Sequence, residues 1–146
     1  MGTLISVAIS FVLLGVTPMF YIGIIQLQSS QSQALAYTKA VVDEVIDTKV
    51  LTDEAVKDYN LNMASLSNTY KTVISRQVKI INPDPANPGK THSTYVTVDD
   101  NTKYDQGDLI VIKVVPVAKN TAQAVSQAIM GMFTPVSGFT IPGRVR

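Results

Sequence analysis

The chain of 146 residues contains no cysteine and no tryptophan, and its only histidine is His92. Without cysteine there is no thiol nucleophile, no disulfide scaffold and no zinc site built on sulfur. One imidazole cannot form a histidine metal cluster. No nucleophile elbow or triad motif surrounds His92, so beside Ser93 it reads as a solvated loop residue rather than half of a hydrolase pair. A net charge of +1 lacks the basic excess that marks a nucleic-acid-binding face, and no nucleic-acid partner is expected. The decisive absence is local. All 12 basic and 11 acidic side chains lie between Lys39 and Arg146, and the first 38 residues carry no charge.

That uncharged front is strongly apolar. Residues 2–25 read GTLISVAISFVLLGVTPMFYIGII, with large apolar side chains on every side of a helix instead of one stripe. Twenty-four helical residues rise roughly 36 Å, enough to cross a bilayer core of about 30 Å. A removable secretory signal would want basic residues before a shorter apolar run and a small-residue cleavage site after it. None precedes this run, and only Ser29-Ser30 could be forced into the second role. A plain single-pass anchor fits by length and composition.

Two details point beyond a plain anchor. The chain continues as QLQSSQSQALAYTKAVVDEVID without proline or glycine, and Ala34, Leu35, Thr38, Val41, Val42, Val45 and Ile46 recur at helical spacing. One helix from about Thr3 to about Ile46 is predicted, roughly 66 Å long and about twice what a membrane requires. Its first half must be buried all round, and its second half packs one stripe against a domain. Pro18 then stands inside the apolar run between Gly15 and Gly23, where the hydroxyl of Thr17 could satisfy the freed carbonyl. Small residues such as Ser6, Ser10, Gly15 and Gly23 let neighbouring helices approach closely.

The remainder reads as a small α+β head. Thr52 followed by Asp53-Glu54 starts a short helix to about Leu66, with Val56, Tyr59, Leu61 and Met63 partly inward. Tyr70 to Ile81 alternates as a strand, with Tyr70, Ile74, Val78 and Ile80 on the covered face. Asn82 to Lys90 holds three prolines and a glycine and reads as an exposed loop. Thr94–Val98 and Leu109–Val115 are the next strands, the latter apolar enough for a central position. Asn120, with Gln123 as capping-box partner, opens a last helix lined by Ala122, Val125, Ile129, Met132 and Phe133. The stretch 134–146 reads as a tail because of its prolines and glycines. Three regions result: 1–26, the hydrophobic helix; 27–47, its extension onto the domain; 48–146, the head.

Little of this carries chemistry. Asp99, Asp100, Asn101, Asp105 and Asp108 could offer calcium an oxygen shell, but the spacing is not that of an EF-hand. Solvated carboxylates in an Asx-rich turn are the simpler reading. Asp43, Glu44 and Asp47 read as the wet side of the long helix. Gly89-Lys90-Thr91 lacks the upstream glycine of a phosphate loop. No enzyme activity and no cofactor are expected.

Gly2-Thr3-Leu4-Ile5-Ser6, Pro18 within the apolar helix, and that helix running directly into a small sheet domain resemble the type IV pilin-like superfamily. The closing GRVR after an Ala/Met-rich segment is similar to pilin-like proteins of the tight-adherence type. The resemblance covers residues 1–46, and beyond them only the architecture. It implies a mature subunit whose short leader has been removed, held in the cytoplasmic membrane before assembly. A motor ATPase and platform proteins then draw it into a surface filament whose apolar helices form a lipid-free core. Departures are visible. Ile5 and Ser6 stand where the family carries an acid, and the paired cysteines of some branches are missing.

The expected function is therefore structural: a subunit of an extracellular helical filament, a pilus or fimbrium for adhesion or surface attachment, its principal partner a copy of itself. The packing residues would be Leu4, Ser6, Ser10, Phe11, Leu13, Leu14, Gly15, Pro18, Phe20 and Gly23. Burying each large apolar side chain contributes about 1.5–3 kcal/mol, against an association cost of about 4–15 kcal/mol. The alternatives are a single-pass membrane-anchored extracytoplasmic binding protein, or a minor pseudopilin of a secretion or DNA-uptake machine.

Overall fold

A computed structural model describes residues 2–118, 128 and 138–146, the side chain of Phe20 excepted. The long helix is continuous: α1 runs Gly2–Thr48 with Pro18 inside it, a rise of about 70 Å. It stops where Lys49 enters the left-handed region (φ 60) and its N–H reaches back to the Val45 carbonyl at 2.9 Å. A second helix, α2, spans Asp53–Ala64. Thr52 caps it, its hydroxyl accepting from the Ala55 N–H at 3.1 Å, with Asp53 and Glu54 in the first turn.

Four antiparallel strands follow: β1 (Tyr70–Pro83), β2 (Thr91–Val98), β3 (Leu109–Pro116) and β4 (Phe139–Arg144), in spatial order β2-β1-β3-β4. The class is α+β. The distal half of α1 lies across β3 and β4, and α2 packs against its flank. Between them sits the core: Val41, Val42 and Val45 from α1, Tyr59 and Met63 from α2, and Ile110, Ile112 and Val114 from β3. All three β3 residues are fully enclosed, as expected of the most apolar strand.

Three expectations are corrected. Leu61 is 59 % exposed, because two residues along a helix from Tyr59 is about 200° of rotation and the opposite face. The second strand begins at Thr91, so His92 lies in β2 opposite Asn82 and not in a loop. The supposed tail holds β4. Pro142 is tolerated because β4 is an edge strand, and Gly143 because α1 passes directly over it. A Cβ at Gly143 would meet Val42 Cγ1 and stand 3.0 Å from Ile46 Cδ1 and from Ile110 Cγ2. The helix expected from Asn120 onward, with Gln123, Ala122, Val125, Ile129, Met132 and Phe133, lies outside the described residues.

Candidate assembly surface

The two halves of α1 differ in what surrounds them. From Leu27 onward one stripe is covered: Leu27, Ser30, Ala34, Thr38, Val41, Val42 and Val45 are buried, while Asp43, Glu44 and Asp47 face water as expected. Leu35, placed in the stripe by spacing, is half-exposed. Polar groups fix this half. Ser30 Oγ accepts from the Asn68 N–H at 3.4 Å and from the Tyr70 hydroxyl at 3.3 Å. Thr38 Oγ1 donates to the Ala34 carbonyl at 2.7 Å and lies 3.0 Å from the Tyr59 hydroxyl. Burial raises the Tyr59 pKa, and the Thr38 contact partly offsets the rise.

Toward the N-terminus the cover ends. The apolar window of α1 has a mean hydropathy of 2.1 and no buried residue, which makes this helix long and apolar enough to cross a membrane. Leu4 is 76 % exposed and Phe11 75 %, with Leu13 and Leu14 bare between turns. Ser6, Ser10, Gly15 and Pro18 are exposed beside them, and Gly23 is half-buried. A Cβ at Gly15 would meet nothing within 4 Å. Phe20 is helical, and its side chain lies outside the described residues.

Two side-chain hydroxyls in this half are turned inward. Ser10 Oγ donates to the Ser6 carbonyl at 2.9 Å, and Thr17 Oγ1 to the Leu13 carbonyl at 2.6 Å. Both bonds are the i−4 back-bonding that hides a hydroxyl from an apolar medium. One expectation changes here. Thr17 does not serve the carbonyl of Leu14, the one deprived of its donor by Pro18.

The acidic cluster is organised by a residue that sequence reasoning passed over. Arg76, on the covered face of β1, donates from Nε to Asp108 Oδ2 at 2.7 Å, and its NH2 nitrogen lies 2.6 Å from the same oxygen. It also reaches Asp105 Oδ2 at 3.1 Å, and its guanidinium stands 5.7 Å from the centre of the Tyr104 ring. Asn101 finishes the strand edge, accepting from the Arg76 N–H at 2.8 Å and donating to the Ile74 carbonyl at 3.2 Å. Asp100 accepts from the Thr102 N–H and hydroxyl, and these bonds lower its pKa. The reading of solvated carboxylates is corrected at Asp108, which is buried against Arg76, while Asp105 pairs with Arg76 from an exposed position. Among the described residues no group of three His, Cys, Asp or Glu side chains could hold a metal ion. The alternation that placed Ile74 and Val78 inward also places Arg76 there, and a buried guanidinium demands a carboxylate. That was the available signal.

An open groove runs between the distal half of α1, β4 and the turn at Gln106-Gly107, edged by Lys39, Asp43, Lys49 and Arg144. Among the described residues its lining has the carboxylates of Asp43 and Asp47 but no serine, threonine, tyrosine or histidine. No protein-family model, curated protein or solved structure matches the chain. The architecture, a long apolar N-terminal helix set on a small antiparallel sheet, is compatible with a pilin-like fold.

Proposed function

We propose that the chain is a pilin-like structural subunit that polymerises through the first half of α1 into a helical surface filament, the head outward. One observation carries this reading. A single unbroken helix holds a half that is built into a head and a half that is bare and apolar on every side. A membrane supplies cover for the bare half before assembly, and copies of the same helix supply it afterwards. Lipid tails are as apolar as leucine, so leaving the bilayer gains nothing from the hydrophobic effect itself. Close helix packing at Ser6, Ser10 and Gly15 and an assembly machine must provide the difference. The exposed loop between β1 and β2 is then available for attachment.

The test is direct. Filaments sheared from producing cells and imaged by electron microscopy should be fibres of uniform width composed of this chain. Recovery of the chain solely as isolated membrane-held molecules, with no fibre, overturns the reading in favour of a single-pass anchor.

A further inference from the structure

The sheet has two edges, and they are unlike. In β4 the residue opposite Val111 is Pro142, which has no N–H to exchange with β3. Its place in the ladder is therefore one whose backbone faces away from the sheet, and it interrupts that edge, a common guard against strand addition. Among the described residues nothing comparable guards β2. Its sequence THSTYVTV has no proline and no aspartate, glutamate, lysine or arginine.

The direction of the free groups follows from the hairpin tip. The Asp84 N–H donates to the Lys90 carbonyl at 2.9 Å, and Pro83, opposite Thr91, has no N–H to give. Exchanging pairs alternate along an antiparallel ladder, so His92, Thr94 and Val96 exchange with Asn82, Ile80 and Val78. Thr91, Ser93, Tyr95 and Thr97 then turn their N–H and C=O groups outward. The free edge is eight residues long, about 27 Å. It also projects. β3 reaches β1 only as far as Gln77, so beyond that point β1 and β2 continue as a two-stranded ribbon. Ile81 (64 % exposed) lies bare on one face, with Ile80 and Val96 on the other. A two-stranded ribbon is marginal in water, and more strands are the remedy.

We propose that the outer edge of β2 pairs with β2 of a second copy of this chain, antiparallel about a two-fold axis. The strand suits itself as a partner. No like charges are brought opposite each other, and Thr, Tyr and Val form favourable cross-strand neighbours. The union makes four strands of two. An isologous contact of this kind closes on itself. It therefore joins a pair of heads, and in filaments it ties one fibre to the next instead of extending either. It does not depend on how the bare half of α1 is covered.

The absence of native cysteine makes the test clean. The full chain in detergent is given one cysteine at a time at positions 92 to 96, with Val73→Cys, on the outer face of β1, as the control. Disulfides need Cα atoms about 4.4–6.8 Å apart, so the position at the axis should cross-link about tenfold faster than the control. Adding Ser93→Pro, or Thr97→Pro where residue 93 carries the cysteine, should return that rate to the control value, since each removes an outward N–H and leaves the β1 ladder intact. Leu13→Asp, which attacks the apolar half of α1, should leave the rate unchanged. A flat profile across the five positions, a preference that survives both prolines, or one that vanishes with Leu13→Asp overturns the proposal.

Discussion

The two halves of α1 are one helix by backbone and two materials by side chain. The distal half has a buried stripe and an acidic wet side, and the head supplies its cover. The first half has no wet side at all, and among the described residues nothing covers the window of strongest hydropathy. The contrast shows that helix continuity and helix burial have separate causes. Backbone bonding carries the helix from Gly2 to Thr48, across Pro18 in its first half and through a distal half without proline or glycine. The distribution of charge decides which half belongs to the head and which requires a different environment.

An aspartate placed in each half should break the symmetry most sharply. Leu13→Asp puts an unpaired carboxylate in the apolar column, a cost of several kcal/mol in lipid or a dry core. No fibres are expected in electron micrographs of cells producing it. Leu35→Asp sets the same group at a half-exposed position of the distal half, where surface substitutions stay within about 0.5 kcal/mol, and fibre yield should be unchanged. Equal fibre yield from the two variants would remove the distinction between the halves and with it the proposed assembly.

Beneath the distal half, the head tests whether its cover is polar as well as apolar. Arg76→Met leaves the Asp108 carboxylate buried, with the Asp105 N–H at 2.9 Å as its one remaining hydrogen-bond donor among the described residues. Losing one partner of a buried pair costs about 3–5 kcal/mol, so the midpoint of denaturant unfolding should fall steeply. The double variant Arg76→Met/Asp108→Asn should recover part of the loss. Neither change touches the bare half.

What could be read from the amino-acid order follows the same division. The apolar run and the helical spacing after it are local patterns, and α1 and its buried stripe were legible to within a few residues. So were the Thr52 cap and the apolar strand now labelled β3. β4 was not legible, because Pro142 and Gly143 are local markers of a turn. Only the assembled fold turns them into an edge position and a helix crossing. Arg76 was legible in principle, lying on the inward parity between Ile74 and Val78. Its partners, about thirty residues away, were instead grouped as a loop cluster of their own.

Gly143 sharpens the contact that holds the covered half down. Gly143→Ala sets a methyl against Val42 and Ile46 of α1 and Ile110 of β3, and overpacking of this kind costs about 1–3 kcal/mol. The variant should unfold at lower denaturant and speed hydrogen exchange in β4. The same substitution at Gly15 meets open space, and alanine there favours the helix, so head stability should not move.

The smallest expected effect concerns Tyr104, whose buried hydroxyl has no hydrogen-bond partner among the described residues. Burial pushes its pKa up to about 12, from 10.0 for a free tyrosine, with Arg76 pulling it down and Asp108 pushing it up. A raised pKa means that the folded chain holds this proton where the unfolded chain has released it. The contribution to stability is therefore complete below pH 10 and lost as pH rises toward 12. Tyr104→Phe removes both the unpartnered hydroxyl and this linkage. At pH 7 its stability should equal or slightly exceed that of the parent, by up to about 1 kcal/mol. Between pH 10 and 12 its unfolding midpoint should fall less steeply than the parent's. Identical alkaline slopes in the two proteins would mean that Tyr104 ionises as freely folded as unfolded, and that the cover over Arg76 is open to water.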